Sequence, residues 1–153
     1  MATSTVSVVV ERPVAEVFAF VTDARNNPLW QSAAGLQESL QLPAGPIGVG
    51  TQITEIWHFM GMETQATSEV TAYEPDRRYT RHLLSGSSPV NQGTHVFEPV
   101  ANGTRWTCTA LVQAGVVFSA AERVLAAQLT RAMETSMAEA KALLERRIVD
   151  NAR

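Results

Sequence analysis

Two side chains in this sequence combine a titratable group with apolar company, and both bear on what the protein could do. Glu55 sits in TQITEIWHFM (Thr51 to Met60), where strand alternation places it on one face with Ile53, Trp57 and Phe59. A carboxyl group on an apolar face resists ionisation, so Glu55 could work as a general acid or base near neutral pH. Two other readings stand beside that one: pairing with a neighbouring arginine, or a strand bulge that turns Glu55 outward. His95, in VNQGTHVFEPV (Val90 to Val100), shares a face with Asn91 and Phe97. Its ring could polarise a substrate carbonyl or make a hydrogen bond inside the core. His58 and His82 are expected in solvent.

Other chemistries lack their residues. The three histidines lie on separate predicted strands, without H-E-x-x-H or paired cysteines, so no metal site is expected. The single cysteine, Cys108, excludes an intrachain disulfide and reads as a small buried hydrophobe. No G-x-S-x-G elbow, G-x-G-x-x-G turn or P-loop is present, so covalent hydrolysis has no support and no cofactor is expected.

The same parity supplies candidate walls for a binding site. Ile53, Trp57 and Phe59 flank Glu55. Ser68 and Val70 share an inward face with Ala66 and Ala72 in ETQATSEVTAYEP, all small, as if leaving room. Phe97 is the inward residue beside His95, and Trp106 leads a face shared with Cys108, Ala110 and Val112. Trp30 closes a short helical segment, and Leu129, Met133 and Met137 lie on one stripe of a long helix. The strand Tyr79 to Leu84 allows two orientations: Tyr79, Arg81 and Leu83 inward, or Thr80, His82 and Leu84.

Elements that must position these residues follow from periodicity. Val6, Val8 and Val10 mark a first strand ending at Glu11 and Arg12. Pro13 suits a helix start, and Val14, Val17, Phe18 and Val21 form its apolar stripe. Asp23 is placed to cap a second short turn, which Asn26, Asn27 and Pro28 should end before Leu29 and Trp30. Neither helix is long enough to stand alone, so both must dock. From Leu36 to Gln113 the period is two, giving about seven strands in all joined by short links, hence an antiparallel meander. Asn102-Gly103 is the strongest hairpin signal, since both residues accept positive φ. After Gly115 the period becomes 3.6, with a Ser119–Glu122 capping box and an apolar face running from Phe118 through Leu125 and Leu129 to Leu144. Some 30 residues at 1.5 Å each make a rod of about 45 Å. That exceeds the domain's width, so the rod should cross the concave side of the sheet.

Composition bounds the setting. At 153 residues, one domain spanning 1–153 is the expectation, with enough chain to bury a real core. The net charge of −3 offers no basic stripe, so no nucleic acid is expected as a partner. The start reads neither as a signal peptide nor as a membrane span, so no stable membrane insertion and a cytoplasmic address are expected. Monomer and homodimer are equally open.

The order of strand, two short helices, meander and long final helix resembles the helix-grip (Bet v 1/START-like) fold of the α+β class. The details are similar to the SRPBCC superfamily, and within it to the polyketide cyclase/dehydrase and lipid-transport-like proteins. Matching stretches are Pro13 to Val21, Asp23, Trp30, Gly48 to Thr51, VTAYEPDRRY (Val70 to Tyr79) and FEPVANGTRWT (Phe97 to Thr107). The resemblance implies a curved sheet gripping the long helix, with an apolar cavity between them that accepts a hydrophobic small molecule. It also implies two versions of function: cyclisation or dehydration of a carbonyl compound by acid–base chemistry, or plain carriage or sensing. Apart from the resemblance, a helper role through the long helix remains as a third possibility.

Overall fold

A computed structural model describes residues 2–59, 61–113 and 119–151, with residues 59, 119–121 and 147–151 described by backbone alone. Seven strands form one antiparallel curved sheet: β1 (Ala2–Val10), β2 (Leu36–Leu42), β3 (Gln52–Phe59), β4 (Met62–Glu74), β5 (Arg78–Gly86), β6 (Val90–Val100) and β7 (Gly103–Val112). Their spatial order is β1-β7-β6-β5-β4-β3-β2, so β1 and β2 lie at opposite edges. The segment between them must therefore cross an end of the sheet. It does so as α1 (Val14–Thr22) and α2 (Asn27–Gln31), linked and followed by single 3-10 turns.

Both short helices hold by docking. Val17, Phe18, Phe20 and Val21 of α1 are buried, and Phe18 meets Tyr73 and Phe97 edge-on at ring separations of 5.4 and 5.1 Å. The Asp23 carboxylate accepts from the Arg25 backbone N–H at 3.0 Å, the expected cap. Asn27 and Pro28 depart from expectation: they open α2 instead of ending a turn, because Pro28 falls in its first turn where no N–H is needed. Trp30 is thereby carried inward, edge-on to Trp106 at 5.3 Å.

The long helix α3 (Ser119–Asn151) packs on β1, on β7 and on the short helices. Polar contacts fasten it along β1. Ser4 Oγ donates to the Ala126 carbonyl at 2.9 Å, Lys141 Nζ to the Val9 carbonyl at 2.9 Å, and the Glu11 N–H to Glu145 at 2.9 Å. Its buried stripe, Met137, Ala140 and Leu144, joins Val10, Val17 and Trp106 in the core. The Ser119 end of the capping box and Phe118 lie outside the described side chains.

One hairpin differs from its sequence reading. The β6–β7 turn is made by Ala101 and Asn102, while Gly103 already pairs with Val100 in the sheet. Gly103 alone of that pair has a positive φ, 151°, and a Cβ there would stand 2.0 Å from the Val10 carbonyl oxygen. Close approach of β1, and not turn type, is what requires glycine there.

Candidate ligand cavity

Because α3 sits toward the β1–β7 edge and the short helices cover one end, the remaining part of the curved sheet has no layer packed against its inner face. A cavity of about 520 Å³ occupies the space, walled by the inner faces of β3 to β7, by Trp30 of α2 and by α3. That volume lies within the ordinary range for small-molecule sites. On the helix side stand Leu129, Met133 and Met137; on the sheet side stand Trp57, Ala66, Ser68 and Leu83.

Each candidate wall residue can now be placed. Trp30, Trp57, Ser68, Leu129, Met133 and Met137 line the cavity. Ile53, Val70, Phe97 and Trp106, expected on the wall, lie instead in the packed core, with exposures of 2% or less. Their strand faces do point inward, but they sit under the short helices, where the sheet's interior is already filled. The Phe59 side chain lies outside the described residues. β5 resolves to its first orientation: Arg81 and Leu83 face the cavity, Tyr79 is in the core, and His82 is exposed. His58 is exposed as expected and pairs with Glu63 at 2.9 Å.

Glu55 is inward and buried, and an arginine holds it. Arg81 Nη2 donates to Glu55 Oε1 at 2.5 Å. Asn27 Nδ2 and Ser39 Oγ approach Oε2 at the longer distances of 3.4 and 3.5 Å. Burial works against the Arg81 charge, but the Glu55 carboxylate and Tyr79 together outweigh it and keep the guanidinium protonated beyond its ordinary range. Tyr79 is pushed up by burial, with Arg81 pulling the other way. The sequence leaves Arg81 open between two faces; the one signal it holds is that an inward Glu55 calls for a cation within reach, and Arg81 answers it from two strands away.

His95 also lines the cavity, and its Nδ1 edge is taken. Trp106 Nε1 donates to His95 Nδ1 at 3.0 Å. Burial, helped by the Arg81 charge, drives the ring's pKa down to about 3, so it is neutral at physiological pH. Its Nε2 stands 3.9 Å from the Cys108 sulfur. Burial pushes the Cys108 thiol up to about 12, so it stays protonated and is no nucleophile. Two further polar atoms of cavity-lining residues, Trp30 Nε1 and Ser68 Oγ, are buried with no hydrogen-bond partner among the described residues.

Taken together, the cavity is apolar along α3 except at Ser136 and carries its charged groups on the sheet. Glu55 and Arg81 are the only charged groups among the described residues that line it, and they offset each other. Among the described residues no group of His, Cys, Asp or Glu could hold a metal ion, and no helix is long and apolar enough to cross a membrane.

Comparisons with known proteins agree with this architecture. Among solved structures, TTHA0849 from Thermus thermophilus superposes with a TM-score of 0.77 at 15% identity, covering 94% of this chain and 97% of that one. The di-domain ARO/CYC StfQ from the steffimycin biosynthetic pathway gives 0.76 at 14% identity, covering 95% of this chain and 52% of that one. Ara h 8.0201 gives 0.63 at 12% identity, covering 94% and 97%. At such identities these likenesses show the fold alone. No curated protein matches the chain. The family model described as polyketide cyclase / dehydrase and lipid transport matches residues 1–145, nearly the whole length, and the chain belongs to that family.

Proposed function

We propose that this protein binds a hydrophobic small molecule in its central cavity, with the molecule's apolar body against α3 and its polar atoms against the sheet. The cavity itself carries this reading: about 520 Å³ of space, walled by both layers of the fold and lined by apolar and polar side chains. The family and the likeness to an ARO/CYC protein support a polyketide-, lipid- or aromatic-like ligand.

Within that reading, carriage or sensing is favoured over proton transfer by one specific observation. Both candidate acid–base groups already have partners: Glu55 is engaged by Arg81, and His95 Nδ1 by Trp106. A cyclase or dehydratase version would use the cavity to fold a poly-carbonyl chain toward a reactive shape, with His95 polarising a carbonyl and Glu55 fixing Arg81. Native mass spectrometry of freshly purified protein tests the binding reading. A co-purified apolar compound is expected, and turnover assays on that compound then separate carrier from enzyme. Protein that retains nothing and takes up no member of a panel of neutral aromatic ketones would overturn it.

A further inference from the structure

We infer that Trp106 is a positioning residue that fixes His95 as a hydrogen-bond donor, so that the cavity selects ligands presenting a neutral oxygen acceptor at His95 Nε2. The inference rests on the binding reading above and adds to it the chemical group recognised. An indole N–H can only donate, so the nitrogen it reaches must carry a lone pair. At 3.0 Å from Trp106 Nε1, His95 Nδ1 is that nitrogen, and the neutral ring must then hold its hydrogen on Nε2. Trp106 is fully buried and held in the core between Trp30 and Phe97, so it cannot turn away cheaply. Protonating Nδ1 would set two donors against each other, and the opposite tautomer meets the same obstacle. The ring therefore presents no lone pair at Nε2, and it neither accepts a proton there as a base nor changes character between pH 8 and pH 5.

What the Nε2–H finds in this structure is poor. Its neighbour is the Cys108 sulfur at 3.9 Å, a weak acceptor held as a thiol. A carbonyl or ether oxygen entering beside Cys108 would be a better partner, and the gain would be made only by a ligand that has one. The surrounding charges set the rest of the preference. On β5, Arg81 faces this region with Tyr79 stacked on the His95 ring at 5.9 Å; on β3, Glu55 balances Arg81; on β7 stands the neutral Cys108. A ligand carboxylate would bring a negative charge with no free cation among the described lining residues to meet it, whereas a ketone brings none.

Long-range ¹⁵N–¹H correlation spectra of histidine-labelled protein test the tautomer directly. His95 is expected to show one protonated nitrogen, Nε2, unchanged from pH 8 to pH 5; His95→Gln assigns the signal. An Nδ1–H tautomer, or a doubly protonated ring by pH 5, would overturn the inference without need of any variant. In Trp106→Phe the ring should begin to titrate or populate both tautomers, and an unchanged spectrum would count equally against it. Ligand choice is read with fluorenone and fluorene, which differ by one carbonyl. Wild type should prefer fluorenone by roughly 5- to 10-fold, the size of one neutral hydrogen bond, and Trp106→Phe should bring the two within about 2-fold. Equal binding by wild type would sink the selection for oxygen. Failure of both probes to bind would count against the cavity's proposed role, while the pinned tautomer would still be visible in the spectra.

Discussion

Replacing Glu55 by Gln should cost this protein far more than a change of one atom suggests. The variant keeps the shape of the side chain but leaves the Arg81 guanidinium inside the fold with no counter-charge. Glu55 is 5% exposed and the pair is in contact at 2.5 Å. Two charges about 4 Å apart in an effective dielectric of about 20 attract by about 4 kcal/mol, and breaking one side of a buried pair costs about 3–5 kcal/mol. Arg81 keeps 21% of its side-chain surface accessible, and as a lining residue it can be reached by water in the cavity, so the lower end of that range is expected. For a chain of this size, about 3 kcal/mol corresponds to a fall in Tm of about 6–12 °C. Removing both charges together, as Glu55→Leu with Arg81→Met, should recover most of the loss, since an apolar pair of similar volume needs no counter-charge. The assay is a double-mutant cycle by urea unfolding, followed by circular dichroism. A loss below about 1 kcal/mol for Glu55→Gln, or a double variant weaker than either single one, would refute the reasoning.

Other outcomes follow from the same structure. An unfolded His95 takes up its proton below its usual 6.5 and the folded ring only near 3, so its contribution to stability is whole above pH 6.5 and declines as pH falls toward 3. The decline should reach about 1.4 kcal/mol per pH unit, and His95→Gln should flatten it in unfolding titrations. Cys108, buried and held as a thiol with a pKa of about 12, should react only slowly with a thiol reagent at pH 8, and immediately in denaturant. Gly35→Ala should destabilise by at least about 2 kcal/mol, because φ is +112° and the new Cβ would sit 1.9 Å from the His58 carbonyl oxygen. Gly48→Ala, with nothing within 4 Å and no positive φ, should change thermal unfolding little or raise it slightly.

Much of the fold could be read from periodicity, since period two and period 3.6 each dominate one long stretch of the chain. The first helix was legible because Val14, Val17, Phe18 and Val21 repeat on one stripe, and the structure buries the last three of these. Asn27-Pro28 misled because the same dipeptide can stop one helix or start the next, and only the distance α2 must cross decides between them. The cavity was harder. Strand parity says which face a residue takes, so Glu55, His95 and Ser68 were found. It says nothing about where along the strand the short helices stop filling the interior, and so Ile53, Val70 and Phe97 read as wall when they are core. Arg81 needed the pairing of β5 with its neighbours, a non-local fact. The Trp106–His95 bond needed a diagonal contact between β6 and β7 that no single strand displays.

The fastening of α3 along β1 divides the protein's labour in space. Packing that holds the chain together is concentrated at the β1–β7 edge and under the short helices, whereas the cavity's far wall is a single layer of strand. On that layer Thr54 and Thr67 join hands on the outside at 2.8 Å while Ala66 and Ser68 face the interior, so exchanges at the inner positions need disturb little else. Substitutions at those positions can then reshape the cavity without rebuilding the scaffold. Solved structures share this outline at 12–15% identity, so the scaffold itself tolerates replacement of most of its sequence.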